Sequence, residues 1–438
     1  MALKCFSNSN NALNWAIKGL ISVGSVRFLS LPITLATAII LGRFLAPEAY
    51  GAYSFSMALA ELIALPVGLG LKGLIVRTVA LANKSKDFEL IERVRLTSSY
   101  LAILYFFTIL LFSLTLFYLL ESWSLPLIVA LLLAPCFAFF EIYGSILQGL
   151  ERSTFSQLFQ VFLRPLVFFI FVVFLLWLGL LNLIQTYIIF FIASVLVFIF
   201  LYLSVRSSFD PTINVSRMLS INKKLKISYL SFVSIELVQF LSMNAGILFL
   251  GMTGDQVGSA GMQVARSTGL LVFFPVVAVE ILSQPRLAQL VKVSDRIEFM
   301  QTYKESARAS LAASLLIGVP MCLFAEALLK ITFGVEYVPI ALDAMRIIII
   351  ARIIQALMGT SGILLAMTLN EKSAMIAQII ALIITMVSLL YLGPLMSSTG
   401  AAISVALGVL TKVIIEACFI RRIYGQWYWA FMQIQLSR

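Results

Sequence analysis

Histidine is absent from all 438 residues. That removes His-based general acid/base chemistry, Ser-His and Cys-His nucleophiles, haem ligation by histidine and the usual zinc sites. Cysteine is nearly absent: Cys5, Cys136, Cys322 and Cys418 stand far apart, with neither metal-knuckle nor disulfide-framework spacing, and read as small apolar packing residues. No catalytic constellation and no metal site is expected. Charge is scarce as well, at 12% of residues against about a quarter in soluble proteins. Hydrophobic residues make up 61%, and the mean hydropathy is +1.04. Too little polar surface exists to clothe a soluble fold. Disorder and nucleic-acid binding fail on the same count, despite a net charge of +11. The chain reads as an all-α integral membrane protein.

Runs of about 20 mostly apolar residues, the length of a crossing, occur twelve times. They fall near 20–42, 51–71, 98–120, 125–147, 155–178, 183–205, 228–250, 263–284, 307–325, 340–368, 373–392 and 399–420. Residues 1–19 are too polar for a cleavable signal and read as a cytoplasmic surface segment. Lysine and arginine set the orientation. With a cytoplasmic N-terminus, 23 of the 31 bases fall on the cytoplasmic side, only Arg43 and Lys330 outside, and six inside spans. Both termini, including a tail at 421–438, are therefore expected in the cytoplasm. The basic stretch 206–227 divides the spans into an N-terminal bundle at 20–205 and a C-terminal bundle at 228–420.

Two halves of six spans invite a search for a repeat. After span four the chain reads SILQGLERSTFSQL, and after span ten ILLAMTLNEKSAMIAQ. Aligned, Glu151-Arg152 falls on Glu371-Lys372 and Gln157 close to Gln378. LGRFLAPEAYGAY after span one likewise matches LGMTGDQVGSAGM after span seven, with an acid shortly before a helix-opening glycine. A 6+6 duplication follows.

Three segments resemble a known family: GRFLAPEAYGAYSFSMALAELIALPVGLGLKGLIVR at 42–77, SILQGLERSTFSQLFQVFLRP at 145–165, and ITFGVEYVPIALDAMRI at 331–347. They look like bacterial polysaccharide transporters of the Wzx type, within the multidrug/oligosaccharidyl-lipid/polysaccharide (MOP) exporter superfamily. The resemblance extends over essentially the whole chain and rests on structural turns. It implies two pseudo-symmetric six-helix bundles forming a V around a central polar cavity. It also implies a flippase that moves an undecaprenyl-pyrophosphate-linked oligosaccharide repeat unit across the cytoplasmic (inner) membrane by alternating access. The product would serve O-antigen and lipopolysaccharide, capsule or exopolysaccharide, with a polysaccharide polymerase and chain-length machinery as partners.

Independently of that resemblance, charges inside spans are costly and mark function by default. There are twelve: Arg27, Arg164, Arg266, Arg346, Arg352, Lys412, Glu61, Glu141, Glu236, Glu280, Asp343 and Glu416. An anionic sugar-pyrophosphate needs a cationic, hydrophilic path, and the planar guanidinium fork grips phosphate oxygens in pairs. Arg27 shares a stripe with Ser30 and Thr34, Arg266 a face with Gly269 and Phe273, and Arg352 a face with Gln355 and Gly359. These three, with Arg164 before Pro165, are the substrate-binding candidates. Against that stand snorkelling for Arg27, a headgroup anchor for Arg266, a structural ion pair for Arg352 and a helix anchor for Arg164. The resemblance places a lipid-tail portal between spans one and eight, which favours Arg27 and Arg266 as contacts. Asp343 with Arg346, and Lys412 with Glu416, read as neighbours that neutralise each other.

Glu61, Glu236 and Glu280 are candidate coupling acids, able to carry H⁺ or to help hold Na⁺, or else to pair with an arginine. Coupling by membrane potential alone is a third option, and no other cofactor is expected. Pro32, Pro66 and Pro275 interrupt spans where a hinge would. Three other functions compete. A polymerase or ligase generally carries a long external catalytic loop, and the external connections here are short. A multidrug antiporter of the same superfamily would favour an acidic pocket for cationic drugs. A peptidoglycan-precursor flippase usually has fourteen spans.

Overall fold

The computed structural model describes residues 24–120, 124–207, 223–293, 296–359, 361, 365 and 371–424. The N-terminal segment 1–19 lies outside these residues, as do 208–222 of the linker and 425–438 of the tail. All regular structure among the described residues is helical. In hydrocarbon every backbone group must be satisfied within its own segment, which leaves the helix as the natural solution for apolar runs of this length.

The helices are α1 (Gly24–Phe44), α2 (Pro47–Ala64), α3 (Leu69–Ser85), α4 (Phe88–Leu120), α5 (Leu125–Gly149), α6 (Ser153–Trp177), α7 (Leu183–Arg206) and α8 (Lys223–Met252). They continue with α9 (Gln256–Val293), α10 (Arg296–Leu323), the short α11 (Ala325–Thr332), α12 (Val338–Leu357) and α13 (Glu371–Tyr424). Among the described residues nine helices are long and apolar enough to cross a membrane, or ten with α2 and α3 taken as one span bent by 47°. α12 fails that test because Asp343, Arg346 and Arg352 all lie within its 20 residues. The 52-residue run Lys372–Ile423 would be about 78 Å long at ~1.5 Å per residue, over twice the ~30 Å hydrocarbon core. It is broken at Ser397 (φ +50°, ψ −126°) and contains Pro394. Counting α12 once and α13 twice recovers the twelve crossings.

The helices extend further than the apolar runs. α3 and α4 together cover almost all of 72–97, read from the sequence as a loop. Charge ends a hydrophobic span without ending a helix. Here Glu89 pairs with Arg93 at 2.5 Å and Glu92 with Arg95, one turn apart along α4.

The chain packs as two compact units: Met1–Thr37 with Ser56–Leu237, and Ala38–Phe55 with Val238–Arg438. These units differ from the bundle limits 20–205 and 228–420. The first half of α8 packs with the first unit, and the turn joining α1 to α2 packs with the second. Span counting is blind to such exchanges.

In the first unit α3 packs on α4 and α5, α5 on α7, and α6 on α7. Ile75, Val79, Ile91, Phe140, Ile142 and Leu201 are buried at its centre. Because lipid is as apolar as these side chains, close approach through small residues carries the packing. Gly68 lies against Ala138 of α5, and Gly149 against Val79 of α3. α6 opens with an α-helical turn, Ser153–Gln157, and a π-helical turn, Leu158–Leu163, then leads into Arg164.

In the second unit α9 packs on α10, α12 and α13, and α12 packs on α13. The Phe-Gly-x-Glu-Tyr turn is structural. Gly334 at φ +112° takes a conformation closed to most residues, and buried Tyr337 meets Tyr50 edge-on with ring centroids 6.3 Å apart.

Candidate functional site

Arg266 and Arg352 come together inside the second unit. Arg266 lies on α9 and donates from Nη1 to Oδ1 of Asn244 on α8. Arg352, on α12, donates from Nη1 to Oε1 of Gln355 at 2.8 Å, and its guanidinium lies 4.8 Å from the ring centre of Phe273 on α9. Gly269, one turn along from Arg266, lets α12 close in, its Cβ position lying 3.8 Å from Cγ of Arg352. The two like charges are near enough to act on one another. Neutral amides and an aromatic face surround Arg352, and among the described residues no carboxylate forms an ion pair with it. Such a pair of forks, set in apolar surroundings, can chelate an anion with two phosphoryl groups.

The other arginines are accommodated differently. Arg27 donates from Nε to Oε1 of Gln157 at 3.0 Å, joining α1 to the start of α6. On its stripe, the hydroxyls of Ser30 and Thr34 turn back to the α1 carbonyls of Arg27 and Ser30. Arg164 lies over Phe137, Phe140 and Phe190, 4.9, 5.2 and 5.9 Å from the ring centres. Three aromatic faces meet its charge from α5 and α7.

Among the acids, Glu61 is half-buried on α2, and the Glu280 side chain lies outside the described residues. Glu236 of α8 faces Lys72 and Glu141. Lys72 donates to Oε2 of Glu141 at 3.1 Å. The sequence places Lys72 in a loop, one residue past an apolar run; in the structure it belongs to α3, between Gly70 and Gly73. In the second unit Glu416 accepts from Ser361 at 2.6 Å and stands 3.9 Å from Lys412, as the i,i+4 spacing suggests.

Pro66 stands at the bend between α2 and α3, where two tyrosine hydroxyls satisfy freed carbonyls. Tyr105 of α4 donates to Ile63 and Tyr229 of α8 to Pro66, both at 3.0 Å. Pro32 and Pro275 lie inside the unbroken helices α1 and α9. Asn244 and Lys72 are the groups that reading along the chain passes over. Only the glycines flanking Lys72 hint in the sequence that another helix approaches there.

Residues 16–291, well over half of the chain, match the family described as polysaccharide biosynthesis protein. The chain belongs to that family. No curated protein sequence matches it. Its fold is similar to that of an inward-facing multidrug resistance MATE transporter of the MOP superfamily, with TM-score 0.72, 15% identity, and coverage of 93% of this chain and 98% of that one. It is also similar to the lipid II flippase MurJ in an inward closed conformation, with TM-score 0.64, 14% identity and coverage of 92% and 87%. A third is a MOP superfamily transporter from Pyrococcus furiosus, with TM-score 0.57, 15% identity and coverage of 94% and 95%. At these identities the likeness establishes the fold alone: a multi-pass helical membrane protein.

Proposed function

We propose that the protein is a flippase for a lipid-linked oligosaccharide, carrying an undecaprenyl-pyrophosphate-linked repeat unit across the bacterial cytoplasmic membrane for surface polysaccharide such as O-antigen or capsule. The observation that carries this reading is the Arg266–Arg352 pair. Holding two like charges close together inside a membrane protein is costly, and a bound diphosphate offsets that cost. Asn244 accepts from Arg266, while Gln355 and Phe273 hold the Arg352 fork with no carboxylate paired to it among the described residues. Family membership supplies the polysaccharide context. Sugar hydroxyls and phosphate oxygens would exchange water for these donors as the headgroup crosses, and the site would open to each side in turn. With both termini in the cytoplasm, polymerase and chain-length machinery would act on the delivered unit outside.

The MATE likeness favours a second reading, a cation-coupled multidrug antiporter. Paired arginines repel cationic drugs, which places that reading second. The test is genetic complementation in a strain lacking this chain. Arg266→Ala and Arg352→Ala should each abolish surface polymer while membrane protein level stays normal, and Arg352→Lys should restore little. Full polymer in both alanine variants, or restored drug resistance in place of polymer, overturns the proposal.

A further inference from the structure

The first unit contains a charge cluster that anion binding does not use. Lys72 of α3 and Glu141 of α5 form an ion pair at 3.1 Å, with side chains about 30% and 27% exposed. Glu236 of α8 is the second carboxylate acting on the same ammonium. Among the described residues two carboxylates thus act on one lysine, and nothing in the anion-binding reading needs the second.

The packing shows how Glu236 reaches this point. Three contacts tie the first half of α8 to α3 and the bend before it. Tyr229 bonds the Pro66 carbonyl, Phe232 covers Gly73, and Val233 covers Gly70. Positions 229, 232, 233 and 236 form one helical stripe, so Glu236 continues the face that lies on α3. On the other side of Lys72, Gly68 brings in α5, its Cβ position 3.4 Å from Cβ of Glu141. The charged groups acting on Glu236 are thus Lys72 from α3 and Glu141 from α5. Glu236 is also almost the last residue of α8 to pack with the first unit, which ends at Leu237.

We propose that Glu236 takes up and releases a proton, and that its charge holds the first half of α8 on α3. As a carboxylate it is attracted by Lys72, which bonds Glu141 directly. With a proton from water bound to one oxygen, it becomes a neutral carboxyl, Lys72 and Glu141 are left as a balanced pair, and the electrostatic tie between α8 and α3 is gone. This deepens the transporter reading and rests on it: the proton is the coupling ion, and the attachment of α8 is what it controls.

The test uses the purified full chain without substrate, so it is independent of what the arginine pair binds. Hydrogen exchange of residues 229–237, corrected for the intrinsic pH dependence of amide exchange, should become several-fold faster on acidification in a single titration. Glu236→Gln should exchange at the acid level at every pH. Glu236→Asp, which keeps a carboxylate, should retain a titration with a displaced midpoint. Infrared difference spectra between neutral and acid pH should lose one carboxyl band in Glu236→Gln and keep it in Glu326→Gln, an exposed acid elsewhere. A wild-type segment unresponsive to pH, a Glu236→Gln protein that titrates as wild type does, or a flat Glu236→Asp response each overturns the proposal.

Discussion

Gln378 of α13 donates to the Ser242 hydroxyl of α8 at 2.7 Å, and the first half of the chain has a counterpart in Gln157 of α6, which accepts from Arg27 of α1 at 3.0 Å. In each half a glutamine shortly after the fourth intervening turn reaches a polar group on that half's opening span. The sequence alignment sets Gln157 close to Gln378, and the structure gives both the same task within their own units. Between membrane helices such a bond is worth ~0.6 kcal/mol on average. Gln378→Ala should therefore destabilise the purified protein by roughly that amount. Gln157→Leu should cost more, on the order of 1 kcal/mol, since it deprives a charged donor of its acceptor. Unfolding in detergent at increasing denaturant checks both.

The break in α13 is held from α9. Asp255 accepts the Gly258 N–H on Oδ1 at 2.7 Å and the Ser397 hydroxyl on Oδ2. Ser397 sits at φ +50°, a conformation that costs a non-glycine residue ~1–3 kcal/mol. Ser397→Gly should be neutral or stabilising, because glycine adopts that angle freely. Asp255→Ala should destabilise by about 1–2 kcal/mol, losing a helix cap and the tether together. A Ser397→Gly protein clearly less stable than wild type would show that the hydroxyl outweighs the strain.

Arg164 should not tolerate lysine. Its flat guanidinium meets three rings, which a compact ammonium cannot cover together. Arg164→Lys is expected to lower stability by ~1–2 kcal/mol, with Arg164→Met intermediate or better, since methionine fills an aromatic pocket without a charge to solvate. Thermal unfolding of the three proteins ranks them, and an unchanged lysine variant would remove the cage argument.

On α11, outside the spans, the Lys330 ammonium bonds Glu326 at 2.5 Å and holds its carboxyl below the usual range. For an acid whose pKa is lowered in the folded state, the contribution is present above the unfolded pKa and disappears as pH falls through the folded one. The pair is exposed, so the effect is small and salt-sensitive. Order in α11, followed by a spin label at an exposed position such as Ile331, should decline at acid pH in wild type and show no such acid limb in Glu326→Gln.

Much of this was legible along the chain because bilayer physics is additive along a sequence. The apolar runs fold as long helices, nine or ten of them span-capable among the described residues, and the Phe-Gly-x-Glu-Tyr motif folds as the turn it suggests. Extents were less legible. Charges at 72–97 end apolar runs, yet α3 and α4 continue through them with their own ion pairs. Individual roles were legible only in outline: Arg27 and Arg164 share a residue type with Arg266 and Arg352, but their neighbours give the first an amide and the second an aromatic cage.

By itself the sequence determined the solvent, the all-helical class, the placement of the apolar runs and the basic bias of the loops, all properties of local composition. Tertiary structure alone decided which charges meet. Arg27 and Gln157 are 130 residues apart in sequence, and no local pattern names them as partners. Arg266 joins Arg352, and Lys72 bonds Glu141 and attracts Glu236, because glycines on α9 and α3 let particular helix faces approach. Electrostatic pairing falls off within a few ångströms and depends on that packing, whereas hydropathy is summed residue by residue.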